Sequence, residues 1–131
     1  MPALITSLYA GLLALLSVFL SGYVGQLRGK TNIPLGDGGN RDIILANRRH
    51  MNFVENVPLA LLLIALVELN GAAPWWIHAL GGTLLLARLI HPFGLKIETG
   101  ATPARIIGAG GTTLVTLAAA ITLLWQFAAY R

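Results

Sequence analysis

The chain contains apolar stretches that are long enough to cross a lipid bilayer as helices. The first runs from Ala3 to Leu27, and no charged side chain precedes Arg28. A bilayer core about 30 Å thick needs roughly 20 mostly apolar residues in an α-helix. Because backbone N–H and C=O groups find no water in hydrocarbon, such segments fold as helices rather than as open sheets. The sequence therefore predicts an all-α integral membrane protein.

Three short breaks rich in Gly, Pro, Asn and Thr divide the chain into four apolar segments. The predicted helices cover residues 3–28, 42–69, 75–95 and 104–129. Helices joined by short loops run antiparallel, so we expect one up-down-up-down four-helix bundle over residues 1–131. We expect the first segment to be a retained helix rather than a cleaved signal peptide, because no basic residue comes before it.

The composition agrees with a membrane protein. Of the 131 residues, 56% are hydrophobic and 11% are charged, whereas soluble domains carry about 25% charged residues. The formal net charge of +4 is too sparse for a nucleic-acid-binding surface. The absence of cysteine excludes disulfides, a Cys-based metal site and a thiolate nucleophile from the chain itself. Any thiol chemistry needs a thiol from a ligand.

The basic residues indicate an orientation in the membrane. Near the first and third connections lie Arg28, Lys30, Arg41, Arg48, Arg49, Arg88, Lys96 and Arg105. The second connection has none, and cytoplasmic loops carry an excess of Lys and Arg. We therefore expect the first and third connections in the cytoplasm and both termini outside. The aromatic residues expected at the outer interface are Tyr9, Trp75, Trp76, Trp125 and Tyr130.

A group of polar residues occupies the basic end of the second and third helices. Arg48, Asn52 and Glu55 are spaced i, i+4 and i+7, which places a cation, an amide and a carboxylate on one helix face. Arg88 and His91 lie one turn apart on the third helix. A charged residue at mid-bilayer costs about 2.5–3.5 kcal/mol. We therefore expect these side chains to face inward and Glu55 to pair with Arg88.

Two interpretations of this group are open. An Arg–Glu pair can simply fix the register of the helices, or the cluster of arginines can bind an anionic ligand. The planar guanidinium favours the second, because it binds carboxylates through two hydrogen bonds. We expect no metal site, since His50, His78 and His91 have no zinc-binding spacing.

Other motifs predict structural roles. Gly81-Gly82 in the third helix and the run 108–111 (Gly-Ala-Gly-Gly) in the fourth predict close helix packing through small residues. Glu68, near the far end of the second helix, is interpreted as a solubilising charge at the membrane interface.

Three motifs together resemble the MAPEG family (membrane-associated proteins in eicosanoid and glutathione metabolism). They are Arg48-x-His50-x-Asn52-x-x-Glu55-Asn56-x-Pro58, Arg88-x-x-His91 and Pro103-x-Arg105. Gly36-Asp37-Gly38-Gly39 and Glu68-x-Asn70-Gly71 resemble the small bacterial inner-membrane members of that family. The resemblance covers nearly the whole chain.

The resemblance implies a homotrimer in the inner membrane that binds glutathione, a co-substrate, between subunits near the cytoplasmic face. Together with the arginine cluster, it implies ligand-binding roles for six residues and a catalytic role for one. The implied glutathione ligands are Arg28, Arg48, Asn52, Glu55, Arg88 and His91, and the implied catalytic residue is Arg105. A neighbouring cation such as Arg105 lowers the pKa of a thiol, and the thiolate is the nucleophile.

Two functions follow as hypotheses. The first is a membrane-embedded glutathione-dependent transferase or peroxidase that acts on small lipophilic electrophiles. The second is a non-catalytic membrane protein that binds a lipid or another anionic small molecule in the same pocket. Met51, Leu95 and Ala109 favour the second, because they stand where some family members carry an arginine and two tyrosines. A wholly structural assembly is a third possibility.

Overall fold

The structure, a computed structural model, describes residues 2–97 and 102–129, which form four α-helices and no strand. The helices are α1 (Leu4–Thr31), α2 (Arg41–Leu69), α3 (Pro74–Gly94) and α4 (Pro103–Ala129). The predicted all-α four-helix fold is confirmed. Tyr130 and residues 98–101 of the third connection lie outside the described residues.

Local sequence explains where α2 and α3 begin. Asn40 precedes α2, and its side-chain oxygen accepts hydrogen bonds from the N–H groups of Asp42 (3.0 Å) and Ile43 (3.1 Å). This N-cap satisfies donors that have no partner within the helix. Pro74 starts α3, where its missing N–H removes no hydrogen bond and its fixed φ favours the helix.

Contacts at both ends of the bundle show that consecutive helices run antiparallel. At one end, Glu68 near the end of α2 contacts Thr6 near the start of α1. At the other end, Arg49 near the start of α2 donates a hydrogen bond to the residue that follows α3, and Gly94 packs against the backbone of Arg105 in α4. We call this second end the basic end. In the described ranges α1 and α4 make no contact, so they lie on opposite sides of the bundle.

Apolar side chains fill the middle of the bundle and also cover its outside. The core consists of Leu13, Leu20, Phe53, Val57, Ala60, Ile64, Val67, Ile77, Leu80, Leu84, Val115 and Ala119. On the outer surface, Leu15, Phe19 and Leu124 are each about 70% exposed. A soluble protein rarely exposes an apolar surface of this extent, whereas acyl chains solvate it. In length and hydropathy, α1, α2 and α4 suffice to cross a membrane.

Helix α3 differs from the other three. Among the described helices it alone falls below the hydropathy typical of a membrane span, because it carries polar side chains such as Arg88 and His91. Both of these are buried within the bundle. A fourth membrane crossing by α3 therefore stays a prediction, although α3 runs antiparallel to α2 and α4.

Glycines permit the close approach of neighbouring helices. A Cβ atom built on Gly108 would lie 2.6 Å from the Cβ atom of His91 and 2.9 Å from the carbonyl oxygen of Ala87. A Cβ atom on Gly81 would overlap the ring of Tyr9. The predicted packing through small residues is confirmed at both positions.

Because of this packing, replacing either of two glycines of α4 with alanine should have opposite effects on the free energy of unfolding. Gly108→Ala should lower the free energy of unfolding by about 1–3 kcal/mol, because the added methyl group forces α3 and α4 apart. Gly110 is a matched control, since nothing lies within 4 Å of a Cβ atom built on it. Gly110→Ala should be neutral or stabilise by up to about 1 kcal/mol. Unfolding of both variants in one detergent measures the difference, and equal stabilities would contradict the packing.

Candidate functional site

Arg88 is buried at the basic end and joins three helices. Only 2% of its surface is exposed. Its Nη1 donates a hydrogen bond to Oδ1 of Asn52 on α2 (2.9 Å), and its Nη2 donates to the carbonyl oxygen of Gly108 on α4 (3.0 Å). Its Nε is buried and has no hydrogen-bond partner among residues 2–97 and 102–129. Arg88 thus fixes α3 against α2 and α4 while one N–H group lacks a protein acceptor.

The predicted Glu55–Arg88 pair is wrong. Glu55 lies 3.5 Å from Nη1 of Arg48, and the two side chains are 47% and 59% exposed. Positions i and i+7 lie two turns apart on one face, so the expectation that Arg48 and Glu55 share a face holds. Arg48 and Glu55 point outward, whereas the half-buried Asn52 between them accepts a hydrogen bond from Arg88. A neutral amide satisfies the guanidinium without the desolvation cost of burying a carboxylate.

His91 is buried at the basic end. Its ring is buried, with 3% of the residue exposed, and the charges of Arg88, Arg105 and Arg48 all act on it. The side chain of Arg105 is exposed and has no hydrogen-bond or ion-pair partner within the described residues. Gly94 allows the start of α4 to pack closely on α3, which brings Arg105 to this end of the bundle.

Arg28 stabilises the connection between α1 and α2. Its Nη1 donates hydrogen bonds to the carbonyl oxygens of Ile33 (3.3 Å) and Gly36 (2.6 Å). Gly36 has a φ of 69°, a left-handed conformation that glycine adopts without strain. The structure therefore gives Arg28 a role within its own loop, and its role as a glutathione ligand stays a prediction.

Arg49 is not among the residues that the sequence predicts to form the site. It lies in the basic cluster, but its neighbour Arg48 has the motif spacing, and a rotation of about 100° per residue turns the two side chains to different faces. Arg49 is half-buried, and its Nη2 donates to the carbonyl oxygen of Leu95 (3.1 Å). Its Nε is buried without a partner in the described part of the chain. The contact with the residue that follows α3 cannot be read from the sequence.

The sequence suggested that Glu68 is a solubilising charge at the membrane interface, and this prediction is wrong. Glu68 is 9% exposed, and its carboxylate accepts hydrogen bonds from the N–H groups of Ile5 (2.9 Å) and Thr6 (2.8 Å) and from the Thr6 hydroxyl (2.6 Å). The first turn of a helix leaves such N–H groups without acceptors, and α1 has no capping side chain of its own. An acidic residue on α2 therefore caps α1.

The three positions that depart from the family pattern have different surroundings. Leu95 is buried at the end of α3, whereas Met51 and Ala109 are exposed. None of the three places a hydrogen-bonding side chain beside Arg88. Across residues 2–97 and 102–129, no group of three or more His, Asp or Glu side chains is arranged to hold a metal ion.

Comparison with known proteins agrees with these observations. The sequence profile of the MAPEG family matches residues 6–125. Two relatives, the inner membrane protein YecN of Escherichia coli strain K12 and that of Escherichia coli O6:H1 strain CFT073, are each 41% identical over 91 residues. The matched segment covers 70% of this chain and 70% of each relative. No solved structure matches the chain significantly. Since the family profile extends over all four helices, the chain belongs to the MAPEG family.

Proposed function

We propose that the chain is a membrane-embedded, glutathione-dependent transferase or peroxidase that acts on lipophilic electrophiles or hydroperoxides. The observation that carries this proposal is the set of cations at the basic end. Arg88 is buried there, and Arg105 is exposed with no side-chain partner among the described residues. Glutathione, with two carboxylates, an ammonium group and a thiol, is complementary to such a group of charges.

The exposed face of α2 is suited to hold the charged ends of glutathione. Arg48 would bind a carboxylate, and Glu55 would bind the ammonium group. Their ion pair is exposed, and such pairs contribute at most about 1 kcal/mol, so a ligand can replace it at little cost. The hydrogen bond between Asn52 and the buried Arg88 would fix the shape of the site on the side of the bundle interior.

A site between subunits is also part of the proposal. The exposure of Arg48 and Glu55 in a single chain supports a position where a second copy packs against α2. In a homotrimer, Arg28 and His91 would complete the site from the cytoplasmic side of the inner membrane. That orientation, with the first and third connections in the cytoplasm, gives the site access to cytoplasmic glutathione.

Arg105 would stabilise the glutathione thiolate. In the transferase reaction, the thiol proton passes to solvent, the sulfur attacks the electrophilic carbon, and the leaving group departs with its bonding electron pair. In the peroxidase reaction, the sulfur attacks the terminal oxygen of the hydroperoxide, the O–O bond breaks, and the alkoxide takes up a proton. A second glutathione then reduces the resulting sulfenic acid to the disulfide and water. The lipophilic substrate reaches the sulfur from the bilayer.

Arg105→Ala is expected to lower the acid ionisation constant of the thiol of bound glutathione about tenfold. Loss of a neighbouring cation raises the pKa of the thiol by roughly one unit, so the thiolate forms at a pH about one unit higher. A pH titration of the ultraviolet difference absorbance of protein saturated with glutathione measures this change. Lys30→Ala is the matched control, because Lys30 is an exposed cation in the last turn of α1. An undiminished thiolate signal in Arg105→Ala would refute the assigned role.

A non-catalytic binding protein is the alternative. It is supported by Met51, Leu95 and Ala109, which supply no donor for glutathione at the positions where some family members carry an arginine and two tyrosines. This alternative predicts saturable binding of an anionic ligand without a thiolate signal and without turnover of a lipophilic electrophile.

A further inference from the structure

A pocket separate from the proposed glutathione site lies at the basic end, between α1, α2 and α3. Its volume is about 200 Å³, and its lining includes Phe19, Tyr23, Ala46, Arg49 and Phe93. Arg49 is the one charged residue in the lining, and the others are apolar or aromatic. We call it the Arg49 pocket. Arg48 and Glu55, on the outward face of α2, do not line it.

Arg49 has unused capacity to bind an anion. One N–H group of its guanidinium donates to the carbonyl oxygen of Leu95, and no carboxylate within the described ranges forms an ion pair with it. The carboxylate nearest in the motif, Glu55, pairs with Arg48 instead. A half-buried guanidinium without a counter-ion is costly, and its planar fork matches an anion that offers two oxygens, such as a phosphate.

The walls of the pocket face the surface that contacts lipid. Phe19 is 69% exposed and Phe93 is 78% exposed, and Phe19 belongs to a helix long and apolar enough to cross the membrane. Arg49 lies eight residues after the start of α2, or about 12 Å along the helix axis. An arginine at that depth reaches the headgroup region while its stem stays among apolar groups. The pocket thus combines a cation near the headgroups with aromatic rings beside the acyl chains.

We propose that the Arg49 pocket binds one anionic phospholipid. The phosphate lies against the guanidinium of Arg49, and an acyl chain lies along Phe19 and Phe93. A free phosphate ion would leave the aromatic walls without a partner, which is why the pocket favours a lipid. This site requires neither glutathione nor Arg105, so lipid binding can be tested independently of the proposed enzymatic activity.

Lipid binding to the full chain in a non-ionic detergent tests the proposal. Native mass spectrometry counts bound molecules during titration with phosphatidylglycerol, with phosphatidylcholine and with inorganic phosphate. We expect one tightly bound phosphatidylglycerol per chain and about tenfold weaker binding to Arg49→Gln. Lys96→Gln is the matched control, because Lys96 is an exposed cation just after α3 and does not line the pocket.

Four results would overturn the proposal. They are unchanged phosphatidylglycerol binding by Arg49→Gln, an equal loss in Lys96→Gln, saturable binding of inorganic phosphate with the same affinity, and displacement of the lipid by glutathione. If circular dichroism shows that Arg49→Gln does not fold, the lipid-binding measurement is made on Phe93→Ala instead. Phe93 is 78% exposed and lies outside the core, so this variant should fold and bind phosphatidylglycerol several-fold more weakly, and unchanged binding would refute the lipid site.

Discussion

Replacing Arg88 with alanine is expected to lower the free energy of unfolding by about 3 kcal/mol. The change removes the two hydrogen bonds that join α3 to Asn52 on α2 and to Gly108 on α4. Breaking a buried charged network costs about 3–5 kcal/mol, because the partners lose a charge-assisted donor and a cavity remains. Arg88→Lys should recover only part of the loss, since one ammonium group does not reproduce the planar fork.

Denaturation by sodium dodecyl sulfate, followed by circular dichroism, measures this loss. Lys96→Ala provides the control: it also removes a cation near the end of α3, but Lys96 is exposed, so its effect should stay within about 0.5 kcal/mol. If Arg88→Ala proves as stable as Lys96→Ala, the buried guanidinium does not hold the bundle together.

Glu68→Ala is expected to lower the free energy of unfolding by about 2–3 kcal/mol. Its carboxylate accepts three hydrogen bonds at the N-terminus of α1, and hydrogen bonds to a charged group contribute about 1.5–3 kcal/mol where their loss leaves a buried donor unpaired. The negative charge also complements the positive end of the helix dipole. Hydrogen exchange should accelerate at the amides of Ile5 and Thr6, which lose their acceptor.

Glu55→Ala is the matched control for this effect. Glu55 lies on the same helix, but its carboxylate is about half exposed and, within the described residues, forms an ion pair only with Arg48, so its loss should change stability by at most about 1 kcal/mol. Equal destabilisation by the two variants, or unchanged exchange at Ile5 and Thr6 in Glu68→Ala, would contradict a capping role for Glu68.

The helices could be predicted closely from the sequence, because bilayer thickness sets their length and Pro, Gly and Asn mark their ends. The main difference is at the end of α1, which continues to Thr31 rather than stopping at residue 28. Arg28 and Lys30 lie in its last turn, where cations stabilise the partial negative charge of a helix C-terminus. The polar character of these residues predicts an earlier end of the helix, whereas their positive charge favours its continuation.

The partners of the charged residues could not be predicted in the same way. Sequence spacing places Arg48, Asn52 and Glu55 on one face, but it does not give the rotation of that face relative to α3. The observed rotation gives Arg88 the amide of Asn52 and leaves Glu55 outside. Glu68 shows the same limit, because its acceptor role depends on the position of α1, more than 60 residues earlier in the chain.

The proposed function requires that glutathione binds at the basic end as its thiolate. Isothermal titration calorimetry of the wild-type protein, at pH 7 in two buffers with different ionisation enthalpies, measures proton release on binding. We predict saturable binding of glutathione with release of about one proton, because the free thiol is mostly protonated at this pH. S-methylglutathione, which has no thiol proton, should bind without release. Binding of glutathione without proton release, or no saturable heat at millimolar glutathione, would contradict the claim.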